Sequence, residues 1–151
     1  MKMSDRKYGV MKGSIGDAPY NWTTGGTAGR LLAEFRDKRR FVGFRCPACG
    51  KVYVPARDIC GECYEDLEEE PVKVGPQGEV VSFTIIREAN PESPAEVPYA
   101  LGVVRMDGAD TGIVALLLAD EKDIGVGMRV APVWREERTG HMSDLRGFAP
   151  V

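Results

Sequence analysis

Four cysteines in two close pairs constrain this chain more than any other feature. They are Cys46-Pro47-Ala48-Cys49 and Cys60-Gly61-Glu62-Cys63, with a Pro- and Gly-punctuated stretch between them. Two residues between cysteines let one tight turn present both sulfurs to the same ion. Two such turns complete the tetrahedral sulfur set that Zn²⁺ prefers. Gly50 follows the first pair and eases that turn. Arg45, Lys51 and Arg57 stand nearby to offset thiolate charge. Rubredoxin-type iron uses the same ligands and stays open at this point. A thioredoxin-like redox pair needs a βαβ setting, which the flanking sequence lacks. Four cysteines on one ion leave no open coordination position, so the expected role is structural, not catalytic.

Composition sets the frame for the rest. The 151 residues are 43% hydrophobic and 28% charged, which suits a folded core without disulfides. The formal charge of −3 does not recruit nucleic acid through a whole-chain field. The opening residues are polar, with no apolar stretch like that of a signal peptide. The apolar run Ile113 to Ala119 is too short to span a bilayer. The expectation is a cytoplasmic protein without membrane association, a setting in which disulfides are disfavoured.

Three segments follow: 1–44 an arm and helix, 45–70 the zinc ribbon, and 71–151 a β-rich barrel. In the first segment, Tyr8, Tyr20 and Trp22 lie in a stretch without an evident period. That stretch reads either as a tail or as an arm whose aromatics anchor on a partner chain. From Thr27 to Arg40, Ala28, Leu31, Leu32 and Phe35 recur at helical spacing, with Thr27 as the expected N-cap. After an acidic linker, strands are expected at 78–87, 99–106, 111–118, 128–135 and 145–151. Short strands punctuated by Gly and Pro fit a small barrel, so the class is mainly β.

Catalytic equipment is sparse. The cysteines are committed to metal. His141 is the sole histidine, and its neighbours Ser143 and Asp144 are expected in a surface loop and not in a triad. Phosphate-loop, nucleophile-elbow and dinucleotide patterns are absent from the sequence.

The two cysteine pairs, the intervening Val54-Pro55-Ala56-Arg57, and the barrel segments Gly78 to Thr84, Val97 to Ala100 and Ile124 to Val130 resemble a family of acyl-CoA-associated proteins. In that family a helix precedes a rubredoxin-like zinc ribbon, and a five-stranded OB-fold barrel follows it. The resemblance spans about Leu31 to Phe148. Pro55-Ala56 departs from it, since many relatives have two prolines there. The resemblance implies structural Zn²⁺ on Cys46, Cys49, Cys60 and Cys63. It also implies a non-catalytic subunit of a thiolase-type enzyme, with no catalytic residues of its own. A thiolase-like subunit would then be the partner, with acyl-CoA or CoA at a shared site. Arg39, Arg40, Arg45, Lys51 and Arg57 become candidate contacts for CoA phosphates, and Tyr8, Tyr20 and Trp22 candidate partner contacts. The competing reading is a single-stranded nucleic-acid module, because zinc ribbons and OB-folds both serve that role. The acidic balance and a first barrel strand without interleaved Lys or Arg weigh against it.

Overall fold

The computed structural model describes residues 10–15, 18–91 and 93–151. Strands β1 (Val10–Ile15) and β2 (Ala18–Thr23) form an antiparallel hairpin. Its register pairs Met11 with Trp22, Gly13 with Tyr20 and Ile15 with Ala18. Within the stretch read as lacking a period, Val10–Ile15 and Ala18–Thr23 are therefore regular strand. Their signal is the two-residue alternation of Met11, Gly13 and Ile15 against Ala18, Tyr20 and Trp22, which Gly13 dilutes.

Helix α1 (Thr27–Lys38) buries Leu31, Leu32 and Phe35 on one stripe. Its N-cap is Gly26, not Thr27 as expected. Thr27 is instead the first helical residue, and its hydroxyl donates to Asp58 Oδ1 at 2.7 Å, tying the helix start to the ribbon. At the other end Arg39 takes a left-handed conformation (φ 52°), and its backbone N–H bonds to the Glu34 carbonyl. Glycine is the usual residue at such a helix end.

Strand β3 (Val42–Arg45) sits between β4 (Val52–Tyr53) and β5 (Val72–Lys73) in a small antiparallel sheet. Gly43 is required there, because a Cβ would fall 2.3 Å from Val52 Cγ1. The free edge of β4 is closed by the barrel. Val52 N–H donates to Asp110 Oδ2, and Asp110 N–H to the Val52 carbonyl, both at 2.8 Å. Val54 N–H donates to Thr111 Oγ1 at 2.8 Å, and that hydroxyl returns to the Val54 carbonyl at 2.9 Å. Every backbone group this edge offers to the barrel is thereby paired.

The barrel closes from β6 (Gly78–Ile86), β7 (Tyr99–Met106), β8 (Gly112–Leu117), β9 (Arg129–Trp134) and β10 (Leu145–Pro150) in the order β10-β8-β7-β6-β9. These are the five expected strands, and closure of five strands in this order is the OB-fold. Only β10 and β8 run parallel. Ala100, Val104 and Met106 alternate inward on β7. They meet Val80, Ile113, Leu117, Val130 and Phe148 in the core. Helix and barrel share one aromatic cluster. The Phe35 ring lies 4.8 Å from both Phe41 and Trp134, and Phe41 stacks on Phe148 at 5.9 Å. No helix among the described residues is long and apolar enough to cross a membrane.

The loop before β10 settles the role of the lone histidine's neighbours. Asp144 is 2% exposed, and its carboxylate accepts from the backbone N–H groups of Thr139 (3.0 Å), Gly140 (2.7 Å) and His141 (3.2 Å). Nδ1 of His141 faces Ser143 Oγ at 3.0 Å and accepts the Ser143 backbone N–H at 3.2 Å. The carboxylate thus serves backbone amides and not the imidazole, and the constellation is a capping box, not a triad. His141 and Ser143 lie on the surface as expected, but Asp144 is a buried structural residue. Asp144→Ala strands three backbone donors and should cost about 2–4 kcal/mol in urea unfolding, whereas His141→Ala should cost under about 1 kcal/mol.

Candidate metal centre

The two cysteine turns are built alike. Cys46 N–H bonds to the Lys51 carbonyl (2.8 Å), and Gly50 N–H to the Cys46 carbonyl (2.9 Å). In the second turn Cys60 N–H bonds to the Glu65 carbonyl (2.9 Å), and Tyr64 N–H to the Cys60 carbonyl (3.2 Å). The residue after each pair has positive φ: 76° at Gly50 and 59° at Tyr64. Glycine meets this requirement freely, while tyrosine meets it under strain. Nothing in the residue type announces Tyr64 as the equivalent of Gly50. Lys51 pairs with Glu62 and ties one turn to the other.

These turns converge all four sulfurs to within 4.8 Å of one another, with Cys49 and Cys60 at 3.8 Å. A zinc tetrahedron with bonds of about 2.3 Å has sulfur–sulfur edges of about 3.8 Å, so the cage fits the ion. Cys46 and Cys60 are buried, and Cys49 is exposed. Around Cys60 the supporting shell is dense. The Tyr53 hydroxyl lies 3.2 Å from its sulfur, and the backbone N–H groups of Cys63 and Glu62 lie at 3.4 and 3.5 Å. Donors aimed at sulfur stabilise thiolate, as in metal sites generally. Without metal, the Tyr53 hydroxyl first and the Cys63 N–H second lower the Cys60 pKa to about 6. Hydrogen bonding with Cys49, then burial, pushes Cys63 up to about 12. One thiol is thus poised to ionise and a second holds its proton until a cation displaces it. The four cysteines form a structural zinc site: the four-sulfur set would hold the ion closed and offers no place to substrate.

The cations expected near CoA phosphates separate into two groups. Arg45 donates to the Gly50 carbonyl at 3.0 Å, Lys51 is held by Glu62, and Arg57 lies over the Tyr53 ring at 5.0 Å. These three brace the metal turns. Arg39 and Arg40 instead line a cleft of about 350 Å³, joined there by Lys73 of β5. Sequence reasoning missed Lys73 because the strand that carries it has only two residues. Of the aromatic candidates, Tyr8 lies outside the described residues. Tyr20 is placed by β2, and Trp22 is 38% exposed.

Comparison with known proteins agrees with this construction. Residues 33–68 match the rubredoxin-like zinc ribbon domain of ChsH2, and residues 71–135 match its C-terminal OB-fold domain. A DUF35 domain-containing scaffold protein of Pyrococcus furiosus is 32% identical over 111 residues, covering 72% of this chain and 79% of that protein. One of Methanocaldococcus jannaschii is 26% identical over 106 residues, covering 70% and 75%. Among solved structures, the Ltp2-ChsH2(DUF35) aldolase matches with TM-score 0.58 and 26% identity, over 80% of this chain and 92% of that one. A DUF35-family protein of unknown function from Sulfolobus solfataricus matches with TM-score 0.60 and 20% identity, over 83% and 87%, which bears on the fold alone. With its zinc ribbon clipped to an OB-fold barrel, the chain belongs to the DUF35 family of scaffold proteins.

Proposed function

We propose that this chain is the non-catalytic scaffold subunit of an enzyme that makes or breaks a carbon–carbon bond in CoA thioesters. The observation that carries this reading is the match of both modules to ChsH2, together with the fold shared with the Ltp2-ChsH2(DUF35) aldolase. The surface supports it. Val81 and Phe83 on β6, Val114 on β8 and Val126 before β9 are exposed apolar residues, with Val114 at 66% and Val126 at 70%. Such residues suit burial against another subunit. The catalytic subunit is then of thiolase type and supplies the nucleophile. Aldolase and thiolase chemistry share the carbon–carbon step, so the aldolase match favours this class of partner. In its finer form the reading makes the chain the small subunit of a benzoylsuccinyl-CoA thiolase in anaerobic toluene degradation. That form is supported by the order of arm, helix and ribbon.

Purification from the native host under mild conditions tests this. A larger catalytic subunit should co-elute in fixed ratio, and its acyl-CoA activity should fall at least tenfold when this chain is removed. Benzoylsuccinyl-CoA with CoA is the substrate pair that tests the finer form. Elution of the chain alone, or with single-stranded nucleic acid, overturns the reading.

A further inference from the structure

Strand β6 leaves the closed barrel partway along its length. At Gly78 and Glu79 it is paired on both sides, by β7 and by β9. The β9 side ends at Val80, whose N–H bonds to the Met128 carbonyl (3.0 Å) and whose carbonyl accepts the Gly127 N–H (2.8 Å). The register with β7 slips at Val81, a bulge that turns the strand. Over 81–86, β6 is paired with β7 alone. Val81, Ser82, Phe83 and Thr84 are all exposed, so both faces of the strand are bare here. On its outer side, no group among the described residues answers the backbone of this segment. Protein edges of this kind are usually blocked by charge or proline. The segment 81–86, Val-Ser-Phe-Thr-Ile-Ile, has neither. It is an open seat for a further strand.

The β1–β2 hairpin has the converse need. It is a sheet of two strands joined to no third, and such a pair is marginal in water by itself. Pro19 of β2 lies opposite Ser14 of β1. A proline in a strand turns its nitrogen away from the ladder, so Pro19 interrupts the outer edge of β2. Residues opposite each other in an antiparallel pair point their backbone groups the same way, both inward or both outward. The Ser14 N–H therefore belongs to the outer edge of β1. That edge has no proline and one charge, Lys12. It is 6 residues long, the length of the open seat on β6. One chain thus carries both a seat without a strand and a strand without a neighbour. Within a single copy the two are not paired.

We propose that two copies of this chain associate by mutual strand addition, β1 of each copy pairing with residues 81–86 of the other. Each copy gives one edge and takes one, so the pair is two-fold and closed. A strand from a different protein would fit the same seat, but the strand of matching length and composition on hand is the chain's own. The self-association does not depend on the scaffold role.

Sedimentation of the full, zinc-loaded chain over about 1–300 µM tests it. Wild type should pass from monomer to dimer within that range. Ser14→Pro removes one outer donor from β1 and leaves the β1–β2 ladder whole. Ser82→Lys combined with Thr84→Lys sets cations against the strand that carries Lys12. Each variant should dimerise about tenfold more weakly or worse, with zinc content and unfolding midpoint near those of the wild-type monomer. Mixed in equal amounts, the two variants should regain a dimer of intermediate affinity, because one keeps an intact β6 seat and the other an intact β1. Amide exchange should slow in 10–15 and 81–86 together as wild-type concentration rises. A monomer throughout the range, a dimer that neither variant weakens, or no recovery on mixing overturns the proposal. Protection of 81–86 that needs an added catalytic subunit also overturns it and assigns the seat to a foreign strand. Protection that is independent of concentration and lost in Ser14→Pro overturns it in favour of the chain's own hairpin folding back.

Discussion

Cys60→Ser should abolish stoichiometric zinc binding and unfold the ribbon. Purified wild-type chain should carry about one zinc, and the variant far less, by elemental analysis. The expected effect exceeds that of any other single replacement, because apparent binding free energies of structural zinc sites are about 10–16 kcal/mol at neutral pH. No other interaction in 42–68 approaches that size. β4 has two residues, and the segment from 54 to 66 has a single isolated bridge, between Ile59 and Asp66. Amide exchange should therefore accelerate first in 45–66 and in the first turn of α1, which Thr27 ties to Asp58. The pH dependence follows from the thiols. Metal binding must expel the proton that Cys63, pushed up to about 12, holds in the metal-free state. Falling pH favours that proton, so zinc affinity should drop steadily from neutral toward acid pH in a chelator competition. A metal-free chain with the wild-type unfolding midpoint would refute the structural role.

How far the sequence carries can be judged from particular residues. The barrel strands were legible because their apolar positions alternate and their ends are marked by Gly and Pro. β7 came out as Tyr99–Met106, the span its pattern predicts. The metal cage was legible because a four-sulfur site imposes a spacing that few other structures need. What escaped is long-range. Thr27 looks like a cap, but its hydroxyl is claimed by Asp58, 31 residues away. Thr111 reads as the start of a strand and Asp110 as the residue before it, and only the fold shows them clipping β4 across 57 or 58 positions. Arg39, Arg40, Arg45, Lys51 and Arg57 look like one cationic set in sequence, yet three of them brace the metal turns and two face a cleft. Charge alone cannot say which partner a flexible side chain will meet. The β1–β2 hairpin was missed for a different reason, since Gly13 breaks an alternation only six residues long.

Phe35→Ala should cost about 3–5 kcal/mol, the range for deleting a buried aromatic ring. Phe35 is fully buried, with its ring 4.8 Å from both Phe41 and Trp134. The cavity left behind has little means of closing. Phe41 is held against Phe148 by stacking, and Trp134 is fixed at the end of β9 opposite Leu145. The surrounding elements are strands whose positions are set by ladders, so they relax only partly. In a domain of this size each kcal/mol moves the melting temperature by about 2–4 °C, so a drop of roughly 10 °C or more is expected in calorimetry. Phe83→Ala is the control. That ring is 39% exposed, and its loss should cost about 1 kcal/mol or less in the isolated chain. Zinc content should be unchanged in both variants, since neither ring touches the cysteine turns. A loss below about 1 kcal/mol for Phe35→Ala would mean that α1 does not depend on this cluster. Equal losses for the two variants would mean that the helix-to-barrel joint is no more important than the surface.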